Sequence, residues 1–268
     1  MKNKEYLRFR PLSFSGLVLG LVFNFQNCSK VDFTANTALA ATRIKPPICS
    51  LQNTSENLKI LFMVDNSGST NTTDPLKKYR DLVVQDFLNT YSSKTNFKYS
   101  FGYFHAAGYT YDTSPGANTF VNNPMSAWGP VGDLANALQS FLRIGTSNHT
   151  YYQQAFKTIK ANIANDPSPA GWKYIVIFMS DGQPTDLTAE ADGTSQSSIT
   201  ALVKDLLTVK PIEFLTVSSV FFGSPTDAHS IQNLSKLASV GGGDFVDTNV
   251  TQNIVISDLV AIPGQNCQ

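Results

Sequence analysis

Past residue 56 the apolar and polar positions fall into short blocks of two periodicities. Leu58-Lys-Ile-Leu-Phe-Met-Val64 is a nearly continuous apolar run that stops at Asp65. Its length and continuity predict a strand buried on both faces. Asp74-Pro75 then reads as a helix start, with Leu76, Tyr79, Leu82, Val83 and Phe87 on one face. Phe97–Tyr103 alternates and predicts a strand. Residues 106–130 are rich in Gly, Asn, Pro and aromatics, which predicts a surface loop with a short edge hairpin around Thr119–Val121. Leu134, Leu138, Phe141 and Leu142 mark a helix, and Phe156, Ile159 and Ile163 mark another that starts near Thr150. Trp172–Met179 is the clearest buried strand, and Ser180-Asp181-Gly182 follows it. A helical face (Ile199, Leu202, Val203, Leu206), a strand (Ile212–Phe222) and a further helix (Ile231, Leu234, Leu237, Ala238) come next. The helix stops at Gly241-Gly-Gly243, Asp244–Thr248 reads as a last strand, and Ile254–Ile262 as a closing helix. This order predicts an α/β fold: a doubly wound, mostly parallel sheet flanked by helices on both faces.

The first 27 residues do not join that pattern. Lys2, Lys4, Arg8 and Arg10 precede an apolar run from Leu12 to Phe25. Its 14 residues fall short of the roughly 20 that span a bilayer, so it reads as a secretory signal at residues 1–27. The run ends Gln26-Asn27-Cys28, which resembles the lipobox of bacterial lipoproteins. On that resemblance Cys28 becomes the lipidated first residue, residues 28–48 form a tether, and residues 49–268 form the domain. Ordinary cleavage before Ala41, after Ala38-Leu39-Ala40, is the competing reading. Ser29 is not aspartate, so the resemblance implies an outer-membrane lipoprotein, facing periplasm or cell surface, that meets the membrane only through its lipid.

Composition narrows the function. Lys+Arg and Asp+Glu are both 20 in 268 residues, a net charge of +0, which argues against a nucleic-acid partner. Charged residues make up 15%, below the usual share of about 25%, and 42% are hydrophobic, so the chain can bury a core. There are three cysteines. With Cys28 lipidated, Cys49 and Cys267 remain as a pair, an expected disulfide whose closure is worth roughly 5 kcal/mol at most. The three histidines, His105, His149 and His229, show no metal-ligand spacing.

In such sheets ligands sit beyond the carboxyl ends of the strands. The residues there are Asp65-Asn-Ser-Gly-Ser69 after the first strand and Asp181-Gly182 after the central one. Two carboxylates and two hydroxyls thus share one edge, an oxygen set that suits a hard cation, Mg²⁺ first. Asp65-Asn66-Ser67-Gly68-Ser69 resembles the Asp-x-Ser-x-Ser signature of von Willebrand factor A domains, and Phe178–Asp186 is similar to that family's second acidic motif. The resemblance covers about Glu56 to Ile262.

It implies a metal-ion-dependent adhesion site in which Ser67 and Ser69 bind the ion directly. Asp65 and Asp181 bind directly or through water. The family's threonine matches Thr150, with Thr146 as runner-up. Mn²⁺ or Ca²⁺ are the substitutes for Mg²⁺. A protein partner offering Asp or Glu completes the shell. Ser147-Asn148-His149 replaces the small, glycine-rich approach common in the family, and puts His149 beside the ion or the partner. Tyr109, Tyr111 and Trp128 are the aromatic candidates for partner contact.

Two other classes are open. One is an envelope-assembly scaffold with a vestigial metal site. The other is a serine hydrolase built on Ser67, His149 and an Asp, although no Gly-x-Ser-x-Gly elbow surrounds Ser67. The reading favours a non-enzyme. Asp186 and Asp192 read as solvated loop acids.

Overall fold

The structure is a computed structural model that describes residues 56–250 apart from 123–125, 210, 211 and 213. These residues belong to the second of two units of the chain, Pro47–Gln268. The expected signal and tether, Cys28, Cys49, Cys267 and the closing helix expected at Ile254–Ile262 lie outside the described residues.

A seven-stranded sheet runs in the order β4-β3-β2-β1-β5-β6-β7. Its strands are β1 (Leu58–Asp65), β2 (Phe97–Phe104), β3 (Gly108–Tyr111), β4 (Phe120–Val121), β5 (Lys173–Ser180), β6 (Leu215–Phe221) and β7 (Gly242–Asp247). Neighbours from β2 through β7 pair parallel, and β3 and β4 add an antiparallel edge beside β2. Six helices accompany them among the described residues: α1 (Thr70–Thr73), α2 (Lys78–Tyr91), α3 (Val131–Leu142), α4 (Tyr152–Ala164), α5 (Gln196–Leu207) and α6 (Ala228–Gly241). The fold is therefore the expected doubly wound α/β sheet.

The strand period of two divides the apolar runs between two cores. Ile60, Phe62 and Val64 of β1, with Ile175 and Ile177 of β5, meet Val83, Val84 and Phe87 of α2 and Leu138 and Phe141 of α3. Leu61 and Met63, with Tyr174, Val176 and Phe178, meet Tyr152, Phe156 and Ile159 of α4, Val203 of α5 and Leu234 of α6. Both faces of β1 are thus covered, which is why all eight of its residues are buried. Carbonyl ends of β1 and β5 lie side by side in register, with Val64 opposite Met179.

Three sequence expectations need correction. The helix expected from Asp74-Pro75 begins at Lys78, and Leu76 and Leu82 are 86% and 50% exposed instead of buried. Lys77 adopts a left-handed backbone (φ 55°), and the Asp74 carboxylate then accepts from the Tyr79 and Arg80 N–H groups, resetting the helix start. β3 was expected as loop. A side chain at Gly108 would place a Cβ 2.1 Å from Thr158 Oγ1, so glycine here marks close strand–helix approach, with Tyr111 buried beyond it. The last strand starts at Gly242, not Asp244, because Gly242 both ends α6 in the left-handed region (φ 71°) and opens β7.

Candidate functional site

Asp65 closes β1 and is fully buried. One carboxylate oxygen accepts the Ser67 N–H at 2.8 Å, which folds the chain back at the strand end. The other accepts from the Ser180 hydroxyl at 2.5 Å, tying β1 to the end of β5. Ser67 Oγ and Ser69 Oγ share a hydrogen bond of 2.9 Å, and Ser69 Oγ donates to Asp181 Oδ1 at 2.9 Å. Thr73 of α1 donates to the other oxygen of Asp181. Asp65, Ser67, Ser69 and Asp181 are therefore brought together on one sheet edge, with Ser69 exposed and the two carboxylates buried.

The loop before α4 completes the edge. Ser147 bridges to Ser67 in parallel fashion, its N–H bonding the Asn66 carbonyl at 3.1 Å, and Asn66 Nδ2 donates to the Gly145 carbonyl at 2.9 Å. Thr150 is buried and is held to the loop after Asp181: its N–H donates to Thr185 Oγ1, and its carbonyl accepts the Thr185 N–H. Thr146, the alternative threonine, sits between Gly145 and Ser147 and is partly exposed. His149 is exposed in a left-handed conformation (φ 72°), its ring 5.1 Å from that of Tyr151. Ser67 Oγ thus finds its hydroxyl neighbour in Ser69, and His149 turns toward Tyr151.

Sequence reasoning missed four supports. Arg80 is buried beneath the site: Nε donates to Asp74 Oδ2 at 3.0 Å, and Nη1 donates to the Asp65 carbonyl at 2.9 Å. Its signal was present in the charged residue three positions before Val83 on an apolar face. Thr73 and Ser180, described above, looked like ordinary turn and strand residues. Asp186 is not a solvated acid: its carboxylate accepts the Tyr152 and Gln153 N–H groups at 2.9 and 2.8 Å, capping α4 from a distant loop. Asp192 does remain an exposed loop residue, bonded to Thr194.

The aromatic candidates fall in different places. Tyr109 is half-buried and stacks on Tyr103 with ring centroids 4.7 Å apart, near His105. Tyr111 is buried against Phe120. Trp128 packs on Tyr174, near Lys59. Those two are the second residues of β5 and β1, so Trp128 stands at the opposite end of the sheet from Asp65 and does not join the site.

The electrostatics follow from the packing. Burial, then the negative charge of Asp181, pushes Asp65 up to about 7. Burial raises Asp181 as well, against the pull of the Thr73 and Ser69 hydrogen bonds and the Arg80 charge. Two carboxylates crowded out of water oppose each other's ionisation, and a divalent cation between them would relieve that cost. The donor set fits such an ion in kind: carboxylate and hydroxyl oxygens without sulfur. Among the described residues, no group of three or more His, Cys, Asp or Glu gathers to hold a metal. A cation here would have to draw the rest of its shell from hydroxyls, water or a partner.

No family model matches the sequence, and no curated protein matches it. Solved structures do. Proximal thread matrix protein 1 from the mussel byssus matches at a TM-score of 0.51 and 16% identity, over 75% of this chain and 44% of that one. The N-terminal domains of the type V pili tip protein Mfa5 from Porphyromonas gingivalis match at 0.51 and 9%, over 71% and 47%. A von Willebrand factor type A protein from Catenulispora acidiphila matches at 0.47 and 14%, over 72% and 38%. The chain spans less than half the length of each. At these identities the likeness shows a shared doubly wound α/β fold.

Proposed function

We infer that the chain is a von Willebrand factor A-type interaction domain that binds an acidic protein partner through a divalent cation. The carrying observation is the hydrogen-bonded chain Asp65–Ser67–Ser69–Asp181 across the adjoining ends of β1 and β5. Asp65, Ser67, Ser69, Asp181 and Thr150 would hold the ion, Mg²⁺ before Mn²⁺ or Ca²⁺. When bound, the ion supplies a positive centre for a partner's Asp or Glu.

The protein's own part is positional. Asp65 fixes the turn that presents Ser67 and Ser69. Thr73 and Arg80 steady Asp181 and the end of β1. Exposed His149 and the half-buried Tyr109 contribute surface around the edge. The fold's occurrence in a pili tip protein fits a binding role at a cell surface. The same reading takes the chain as non-enzymatic, exported and lipid-anchored at Cys28, with Cys49 and Cys267 closing the domain.

Capture from cell-envelope extract tests it. Immobilised protein should retain a partner in Mg²⁺, release it in chelator and recover it when Mg²⁺ returns. A partner held equally in chelator, and by the Asp65→Ala variant, contradicts the ion-bridged reading and favours the scaffold.

A further inference from the structure

β1 buries one charged side chain along its length besides the terminal Asp65, and that is Lys59. It lies at the opposite end of the sheet from the cation edge and serves nothing in that site. Its ammonium is in direct contact with Asp166 Oδ2, in the loop after α4, and the two side chains are only 4% and 2% exposed. Aromatic rings of Trp128, Trp172 and Tyr174 surround the ammonium at 5.8, 4.9 and 5.6 Å. Two buried unit charges in an aromatic box are a costly way to stabilise a fold, because desolvation offsets most of their attraction.

The Asp166 carboxylate is also polarised unevenly. Oδ1 accepts the Ser168 N–H at 2.9 Å, while Oδ2 accepts the Tyr174 hydroxyl at 2.5 Å. Burial, then the hydrogen bond to Asp166 and that carboxylate's charge, hold the Tyr174 phenol well above its ordinary range, so it stays a proton donor. The Lys59 ammonium additionally donates to the Ser168 carbonyl at 2.9 Å, which fixes its direction.

We propose that Lys59 and Asp166 condense into an intramolecular isopeptide bond, a covalent tie between the central strand and the loop that leads into β5. A proton first passes from the Lys59 ammonium to Asp166 Oδ2, with which it is in contact, leaving an amine lone pair on Nζ; Nζ then attacks Asp166 Cγ, a new N–C bond forms, and the Cγ–Oδ2 bond breaks. Oδ2 leaves as water with two of the ammonium's three protons, and the third stays on the amide nitrogen. Ammonium plus carboxylate thus gives amide plus water, with no oxidant or cofactor. Ser168 N–H holds Oδ1, where negative charge develops and which remains as the amide oxygen. Tyr174 O–H holds and relays protons to the departing Oδ2.

Two effects drive the step. The folded chain holds both groups in contact, which is worth effective molarities of about 10⁵–10⁸ M in well-oriented cases. The product also removes both buried charges at once. A cavity of about 300 Å³ lined by Lys98, Trp128 and Trp172 adjoins the pair and gives the water a way out.

Tryptic mapping of the full chain in denaturant tests the proposal without needing any variant to fold. Lys59 should resist cleavage. A branched product should join the fragment spanning Lys59 to residues 161–173, lighter by one water than the two combined. Lys59→Arg and, independently, Asp166→Ala should each return separate linear fragments. Cleavage at Lys59 with both linear masses intact in the unaltered chain would show an ionic pair only and overturn the proposal. So would a water loss that fragmentation locates at any other residue.

Discussion

Asp181 accepts hydrogen bonds from Ser69 and Thr73 while the Arg80 charge acts on it from below, so its two oxygens are already committed in direction. Replacing it with asparagine keeps the shape and removes the charge. Asp181→Asn should therefore weaken Mg²⁺ binding at least ~10-fold, a loss of the size that metal-site residues generally show, with a circular dichroism spectrum like the wild type. Arg80 behaves differently, since it touches the chain and is not among the residues proposed to hold an ion. Arg80→Met strands the buried Asp74 carboxylate, which breaking a buried pair puts at about 3–5 kcal/mol, and frees the Asp65 carbonyl. Urea unfolding should show the stability loss, and Mg²⁺ affinity should fall with it. Of these residues Asp65 and Asp181 were legible because they end apolar runs. Arg80 showed only as a charge on an apolar face, and Thr73 and Ser180 not at all, because their bonds to Asp65 and Asp181 reach 15 or more positions along the chain.

At the scale of elements, periodicity carried β1, β2, β5, β6 and the helical faces of α3, α4, α5 and α6. It failed where one backbone position outweighed the pattern. The apolar spacing of Leu76, Tyr79 and Leu82 suggested a helix face, yet left-handed Lys77 sets the start of α2 later and turns Leu76 and Leu82 outward. Lys77 itself is buried and donates to the Phe141 and Ile144 carbonyls at the end of α3. Burial, then the nearby Arg80 charge, lowers it from 10.5 to about 8. Between those two values the unfolded chain keeps a proton that the folded chain has released. Folding stability should thus rise as pH climbs through that window. Denaturant midpoints at several alkaline pH values check this, and Lys77→Met should flatten the slope. A Leu76→Ala variant, by contrast, should stay within about 0.5 kcal/mol of wild type, since its side chain is solvent-exposed.

For the whole molecule, the sheet separates two chemistries. The Asp65–Asp181 edge sits at the carboxyl ends of β1 and β5, and the Lys59–Asp166 pair sits at their amino ends. The doubly wound order was readable from alternating strand and helix signals, because each apolar run had to be covered on both faces. The antiparallel β3 was hidden by the Gly- and aromatic-rich composition of its segment. If the chain is lipid-anchored, intact mass of protein recovered from membranes should show a lipid addition that Cys28→Ser removes, and an unmodified chain starting at Ala41 would contradict the anchor. The central claim, that Asp65 and Asp181 hold a divalent cation between two strand ends, has a direct measurement in thermal unfolding with and without Mg²⁺. The account predicts that Mg²⁺ raises the unfolding temperature of the wild type, that chelator reverses the rise, and that Asp181→Asn does not respond. An unfolding temperature indifferent to Mg²⁺ in the wild type, or a rise that persists undiminished in Asp181→Asn, would contradict it.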